Sequence, residues 1–164
     1  MVILGLDPGY AILGYGLVES DGIHFSLIDV GVIRTSAGIP LPQRLVSLYN
    51  GTRALMMEYS PQAVAVEKLF FGKNVKTAID VGQARGAILV AGAQNNTDIF
   101  EYTPLQVKQA IVGYGRAEKQ QVELMVCQML GLTQAPKPDD AADALAIAIC
   151  HGLSMRSRAL LEYK

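Results

Sequence analysis

Carboxylates end two apolar segments of the sequence, at positions where a mixed or parallel sheet can gather side chains for chemistry. Asp7 follows the apolar run 2–6 and precedes the turn-forming pair Pro8–Gly9, and Glu67 follows the run 63–66. An Asp before Pro–Gly is most often a turn residue, whereas a Glu after a fully apolar strand needs a partner, a cation or water. Because the carboxyl ends of adjacent strands can converge on one crevice, both acids are candidates for a shared site.

Further acids lie at the start of the last predicted helix. Asp140 and Asp143 are three residues apart and share one helical face, and Asp139 and Asp143, four apart, do so as well. Acids in a first helical turn favour the helix dipole, which explains Asp139 and in part Asp140. It explains Asp143 poorly, because the residues around Asp143 are small or apolar. We therefore expect Asp143 either to be buried with a partner or to belong to a site.

Three or four carboxylates without a His or Cys cluster make an oxygen-rich site, which Mg²⁺ and Mn²⁺ prefer. Two such cations about 3.5–4 Å apart would activate a water and stabilise the leaving oxygen in phosphodiester hydrolysis. His24 and His151 have no evident nucleophile partner, so a Ser/His/Asp arrangement does not compete. Cys127 and Cys150 lack CxxC spacing and suggest neither a disulfide framework nor a zinc site.

Apolar periodicity and turn signals predict the elements that must position these acids. Three strands joined by tight turns come first and suggest an antiparallel meander, with a hairpin at Asp21–Gly22. Helices and two further strands follow, which predicts one α/β domain over residues 1–164. In chain order the predicted strands are 2–7, 12–18, 23–35, 63–67 and 98–102, and the predicted helices are 41–59, 75–93, 104–112, 118–130 and 139–153.

Short motifs recur along nearly the whole chain and are far more specific in this order than singly. They are GLDPG at 5–9, GYG at 14–16, VEKLF at 66–70, KN at 73–74, GQARG at 82–86, QVKQ at 106–109, GYG at 113–115, AEK at 117–119 and DAADALA at 140–146. In this order they resemble the RuvC family of Holliday-junction resolvases. The resemblance implies an RNase H-like fold, with a mixed five-stranded sheet flanked by helices and three antiparallel strands first. It places the catalytic, metal-ligating acids at Asp7, Glu67, Asp140 and Asp143, and selects Asp140 over Asp139 because the family's Asp-Ala-Ala-Asp pattern begins there.

The activity that this resemblance implies is a metal-dependent, structure-selective endonuclease. It would resolve four-way DNA junctions by paired symmetric nicks during recombination and repair, leaving 5′-phosphate and 3′-hydroxyl ends. The implied cofactor is Mg²⁺, two per active site, with Mn²⁺ as a substitute. The implied partners are the four-way DNA junction, a second copy of the chain in a homodimer, and a branch-migration helicase complex.

Candidate DNA contacts lie between residues 68 and 119, where seven cationic side chains outnumber four acidic ones. Any single lysine is by default a solvated surface residue, but cations here would offset phosphate charge and make binding salt-dependent. Lys108 and Lys119 match family positions that contact the DNA backbone near the scissile phosphate, and Lys73 lies in a predicted loop beside Glu67. Phe70 in that loop matches the family's aromatic position and could stack on an unpaired base, whereas Phe71 is expected to be packing.

Small residues recur in the predicted helix 75–93, at Ala78, Gly82, Gly86 and Ala93. A glycine inside a helix costs about 1 kcal/mol relative to alanine, so such residues indicate close backbone approach. Two interpretations remain open. The helix packs either on the sheet of its own domain or on a second copy of the chain, and a two-fold dimer suits two symmetric nicks.

Composition and charge exclude several classes of protein. With 51% hydrophobic and 18% charged residues the chain is neither disordered nor fibrous, and no apolar stretch approaches the ~18–20 residues that span a bilayer. We expect a soluble cytoplasmic protein. The formal net charge of −1 excludes a strongly basic, indiscriminate DNA binder. Two divalent cations bound by four of the fifteen acids would, however, make the DNA-facing surface positive.

Three alternative functions are compatible with parts of this pattern. Asp7-Pro8-Gly9 with Gly14-Tyr15-Gly16 also fits a nucleotide phosphotransferase of the actin and hexokinase-like group, but those proteins need two such domains and the chain has the length of one. A nuclease of the same fold that acts on structured RNA fits too, because no residue pattern separates RNA from DNA. A non-catalytic junction-binding scaffold would tolerate loss of the acids, yet all four are present.

Overall fold

The computed structural model of the chain describes residues 1–68 and 75–162. In these ranges, the strands and helices follow one another in the order that the sequence predicts. The elements are β1 (Val2–Asp7), β2 (Ile12–Ser20), β3 (Phe25–Arg34), α1 (Leu41–Tyr59), β4 (Ala63–Glu67), α2 (Val75–Ala93), β5 (Asp98–Tyr102), α3 (Pro104–Val112), α4 (Lys119–Leu130) and α5 (Asp139–Glu162).

The strands form one five-stranded sheet in the order β3-β2-β1-β4-β5. β1, β2 and β3 are antiparallel neighbours, while β4 runs parallel to β1 and β5 runs parallel to β4. The predicted mixed sheet with three antiparallel strands first is therefore confirmed. Because β1, β4 and β5 point the same way, their carboxyl ends share one edge of the sheet.

The core has two layers, one on each face of the sheet. Ile3 packs in a cluster with α3, α4 and α5 residues such as Leu145, whereas the next residue, Leu4, packs with α1 and α2 through Leu48 and Ile88. Successive strand side chains point to opposite faces, so a strand covered on both faces is apolar throughout. This explains the uninterrupted apolar runs that precede Asp7 and Glu67.

Four elements have bounds that differ from the sequence-based prediction, and one of them is β3, which spans Phe25–Arg34 where 23–35 was predicted. β2 extends to Ser20, which pairs with Phe25 at the hairpin end, and α4 begins at Lys119 because Glu118 is its N-cap. The largest difference is α5, which continues to Glu162 instead of ending at 153. The sequence contains no proline between 153 and 162 that would end the helix earlier. In the described part of the chain, no helix is long and apolar enough to cross a membrane.

Helix α5 lies unusually close to the sheet because glycines face it. A Cβ built on Gly14 would lie 2.5 Å from the carbonyl carbon of Asp140 and nearer still to its oxygen, and one on Gly5 would lie 2.8 Å from Ala148 N. One on Gly16 would lie 2.8 Å from Leu145 N. Such distances leave no room for a side chain. The glycines of β1 and β2 therefore allow the first turns of α5 to rest on the sheet.

Candidate active site

Asp7 and Glu67 lie side by side at the carboxyl edge of the sheet. They are the last residues of β1 and β4, which are parallel and pair Leu6 with Val66. The expectation that the two strand ends gather these acids agrees with the register. Each is partly buried, since the strands that carry them run through the core.

The close approach of α5 brings in the third and fourth acids. Gly14 is the register partner of Asp7 on β2, and the backbone of Asp140 rests against Gly14. Asp140 is thereby placed beside Asp7. Asp143 is one helical turn further along and lines a cavity together with Glu67. Its side chain is 41% exposed, so the expectation that Asp143 is buried is wrong, and its membership of a site stays a prediction.

The four acids are close enough for their charges to shift the pKa of Asp7 and of Glu67. Burial, followed by the charges of Glu67, Asp143 and Asp140, raises the pKa of Asp7 to about 8, against a smaller opposing effect of Lys119. Burial and the charge of Asp143 also raise the pKa of Glu67, although a hydrogen bond with Asp7 and the charge of Lys119 act the other way. A buried group whose ionised form is repelled by three neighbours is typical of a functional site.

Asp139 and Asp140 point to different partners. Asp140 acts on the pKa of Asp7, whereas Asp139 Oδ1 accepts a hydrogen bond from Lys137 Nζ at 2.7 Å and Asp139 Oδ2 lies 3.3 Å from Lys119 Nζ. These ion pairs lower the pKa of Asp139, most strongly through Lys137. The geometry thus agrees with Asp140 as the site residue, which the family pattern implies.

Lys108 and Lys119 both line the cavity beside the acids. The cavity has a volume of about 230 Å³, and its apolar wall includes Val107, Val122 and Ile147. Lys119 Nζ donates a hydrogen bond to Asp143 Oδ2 at 2.9 Å. Partial burial lowers the pKa of Lys119, but the hydrogen bond to Asp143 and the two aspartate charges raise it by more, so the amine stays charged.

Sequence reasoning missed a second group of charges behind Glu67. Arg85 on α2 pairs with Glu101 on β5, and Arg85 Nε donates a hydrogen bond to the backbone oxygen of Glu67 at 3.3 Å. Lys68 Nζ also lies 4.0 Å from Glu101. From the sequence, Lys68 and Arg85 are recognisable only as two of the seven cationic side chains between residues 68 and 119. Their spacing from Glu101 carries no pairing signal, because the contact is made by neighbouring elements of the folded chain.

Two of the predicted DNA contacts, Phe70 and Lys73, are not covered by the description. Phe70, Phe71 and Lys73 lie in the segment 69–74, outside the described residues, and the side chain of Lys76 is outside them too. Their DNA-contact or packing roles stay predictions.

The outward face of α2 bears on the two interpretations of its small residues. A Cβ on Gly86 would meet no described atom within 4 Å, so packing on the chain's own sheet does not explain this glycine. Ile79 and Val90 are 63% and 52% exposed, and their positions share one face of the helix with Gly86. Ala84 and Ala91, on the opposite face, are fully buried.

The histidines and cysteines lie away from the acids. His24 is exposed and lies 3.1 Å from Asp21, while His151 is buried in the core with Nδ1 2.8 Å from Tyr102 Oη. Cys127 and Cys150 are buried free thiols. The expected absence of a disulfide between them agrees with the structure.

The donor chemistry of the four acids suits a hard cation. Within 1–68 and 75–162, no group of three or more His, Cys, Asp or Glu side chains is arranged so that it could hold a metal ion as it stands. All four candidate ligands are nonetheless carboxylates, and burial followed by repulsion from the other three raises the pKa of Asp7. A divalent cation among them would relieve that repulsion, so the residues fit Mg²⁺ or Mn²⁺ better than a softer metal.

Comparisons with known proteins agree on one family. The family model described as "Crossover junction endodeoxyribonuclease RuvC" matches residues 3–151. The chain is 55% identical over 161 residues to the protein of that name from Ruminiclostridium cellulolyticum, covering 98% of this chain and 97% of the relative. It is 54% identical to the one from Alkaliphilus metalliredigens, over the full length of both. Among solved structures it is similar to T. thermophilus RuvC in complex with Holliday junction substrate, with a TM-score of 0.92, 40% identity and 96% of each chain covered.

Proposed function

The chain belongs to the RuvC family of crossover junction endodeoxyribonucleases, and we propose that it resolves four-way DNA junctions by paired, symmetric nicks. We also propose that residues 1–164 act as one nuclease domain and that the work is done in the cytoplasm, as the sequence led us to expect. The observation that carries the proposal is the convergence of four carboxylates beside a cavity lined by two lysines. That arrangement suits cleavage of a phosphodiester and makes no use of a protein nucleophile.

Asp7, Glu67, Asp140 and Asp143 are the residues that would hold the metal. The RuvC family is a family of metal-dependent nucleases, and we propose Mg²⁺, two ions per site, with Mn²⁺ as a substitute. When bound, divalent cations supply Lewis acidity toward the scissile phosphate and lower the pKa of the attacking water. The chain contributes the carboxylates, and burial of Asp7 and Glu67 keeps them in fixed positions on the sheet.

Lys108 and Lys119 have a separate task in the proposed reaction. Both line the cavity on the side of Glu67 and Asp143, where their ammonium groups would bind phosphate oxygens of the junction. Cationic contacts of this kind position the backbone and offset its charge without reading sequence. We propose that they hold the scissile strand in place while hydrolysis leaves a 5′-phosphate and a 3′-hydroxyl. Phe70 and Lys73 stay predicted junction contacts.

Symmetric nicking requires two active sites, and the outward face of α2 supports a homodimer. Exposed Ile79 and Val90 flank Gly86, where no described atom lies near. A second copy meeting this face through its own α2 would bury the apolar side chains, and the missing side chain at Gly86 would let the helices approach closely. A branch-migration helicase complex stays a predicted partner.

Cleavage and binding of defined substrates test the proposal. With Mg²⁺, wild-type protein should nick a four-way DNA junction at symmetric positions and leave plain duplex and structured RNA intact. Asp143→Asn should abolish cleavage yet still bind the junction in a gel-shift assay. Asp98→Asn, a matched control at an exposed acid on the opposite edge of the sheet, should cleave normally. Preferred cleavage of structured RNA, or undiminished cleavage by Asp143→Asn, would contradict the proposal.

A further inference from the structure

Lys119 is shared between two aspartates of α5. Its Nζ lies 2.9 Å from Asp143 Oδ2 and 3.3 Å from Asp139 Oδ2. The first aspartate is a proposed metal ligand, whereas the second is also ion-paired with Lys137. Lys119 also reaches Asp7 and Glu67 through its charge, since it lowers the pKa of both. A single ammonium group therefore contacts or influences most of the carboxylate cluster.

A divalent cation held by Asp143 would compete with this ammonium for the same carboxylate. The cation and the Lys119 ammonium would lie close together, and their positive charges would repel each other. Lys119 would then be driven away from Asp143. Asp139 is already within reach, since its Oδ2 lies 3.3 Å from Lys119 Nζ, so the ammonium can shift toward it.

Asp139 is held in the orientation that this transfer needs. Lys137 Nζ binds Asp139 Oδ1 at 2.7 Å, which leaves Oδ2 directed to Lys119. The two oxygens of Asp139 thus serve two different lysines. A residue present only to favour the helix dipole would not need this division.

Resting on the proposed function, we infer that Asp139 is a positioning residue that retains Lys119 beside the site when a divalent cation takes Asp143. Lys119 is then both a competitor of the metal at Asp143 and, once displaced, a cation kept close to the incoming phosphate. Asp139 acts through Lys119 and contributes no ligand. This separates its role from that of Asp140, its neighbour in sequence.

Binding of Mn²⁺ to the DNA-free protein, followed by calorimetry or by the spin-resonance signal of free Mn²⁺, tests the inference. Lys119→Gln removes the competitor and should tighten Mn²⁺ binding by about threefold, the effect expected of half-exposed ion pairs. Asp139→Asn removes the alternative anchor and should weaken binding by about threefold. In the Lys119→Gln background, Asp139→Asn should cause no further change, because no lysine is left to retain.

A matched control separates this coupling from a general effect of charge. Glu123 lies near enough to Lys137 to raise its pKa, but it makes no ion pair with Lys119 among the described residues. Glu123→Gln should leave Mn²⁺ affinity unchanged in both backgrounds. Asp139→Glu should restore most of the affinity that Asp139→Asn loses, because a carboxylate is again available to Lys119.

Equal weakening by Asp139→Asn with and without Lys119 would overturn the inference, since Asp139 would then act by its own charge or as a ligand. The proposed function fails in a different way. If the wild-type protein neither binds Mn²⁺ nor cleaves a junction, the nuclease assignment is wrong. If it does both and the two substitutions are independent, only the role of Asp139 is wrong.

Discussion

Gly14 should be one of the most demanding positions in the protein, because the proposed active site is assembled across it. An alanine methyl at this position would lie 2.5 Å from the carbonyl carbon of Asp140 and nearer still to its oxygen, whereas ordinary contact begins at 3.4 Å, so more than about 0.9 Å must be made up. The obstacle is helix backbone, which no change of rotamer removes. Helix α5 must move away from β2, and Asp140 moves with it.

The expected costs of Gly14→Ala differ for stability and for catalysis. Overpacking against a rigid neighbour costs about 2–3 kcal/mol in the free energy of unfolding. A displacement of about 1 Å in a reacting group can reduce the rate about 100-fold. We therefore expect a folded, destabilised protein whose single-turnover cleavage of a four-way junction falls by about two orders of magnitude. Urea denaturation and cleavage at a temperature well below the unfolding midpoint measure the two effects separately.

Two further glycines provide the comparison. Gly16→Ala would press on Leu145, also on α5 but one turn beyond Asp140, and should cost similar stability with a smaller loss of cleavage. Gly38→Ala would meet only Ser36 Oγ at 3.8 Å, so its stability and activity should match the wild type. Wild-type stability and cleavage in Gly14→Ala would refute the close packing of α5 on the sheet and the account of how Asp140 reaches Asp7.

Four other perturbations have outcomes that the structure specifies. The pKa of Asp7 is raised to about 8. Without divalent metal, the free energy of unfolding should therefore fall as pH rises from about 4 to 8, because in this range only the unfolded chain releases the Asp7 proton. Asp7→Asn should flatten this fall and be more stable than the wild type in EDTA at pH 8.5 by roughly 1–3 kcal/mol, measured by urea denaturation. Gly86→Ala should stabilise the helix by about 0.5–1 kcal/mol but weaken the proposed dimer, seen as dissociation at higher concentration by sedimentation. Glu101→Gln, which leaves the half-buried Arg85 without its carboxylate partner, should cost about 1–2 kcal/mol of stability, and a double variant with Arg85→Gln should recover part of it. Lys108→Gln should weaken junction binding and reduce the slope of log affinity against log salt by about one; an unchanged slope would remove Lys108 from the phosphate contacts.

Much of the fold is encoded by local sequence patterns and could therefore be predicted. The bounds of β1, β4, α2, β5 and α3 agree with the predicted ones, because each is delimited by a sharp signal such as a proline, a glycine turn or a change of apolar period. The C-terminal end of α5 was wrong because the prediction relied on apolar periodicity. That pattern reports where the helix touches the sheet and not where its backbone hydrogen bonds end.

The candidate site, like the fold, could be predicted from the sequence only in part. Asp7 and Glu67 were found from sequence because a carboxylate after an apolar strand is conspicuous, and Asp143 because it interrupts an apolar helix. The choice between Asp139 and Asp140 stayed open on spacing alone and needed the family pattern. In the folded chain the two acids have separate partners, lysines for Asp139 and the carboxylate cluster for Asp140.

The sequence by itself determined the types of side chain at the site, the elements that carry them and the family to which they belong. Tertiary structure alone decided how close those elements come and which charges meet. The glycines of β1 and β2 set the distance of α5 from the sheet, and through it the crowding that raises the pKa of Asp7. The pairing of Lys119 with two aspartates joins α4 to α5, and the pairing of Arg85 with Glu101 joins α2 to β5. Local patterns cannot encode such contacts, because they depend on the packing distance between elements and not on residue spacing.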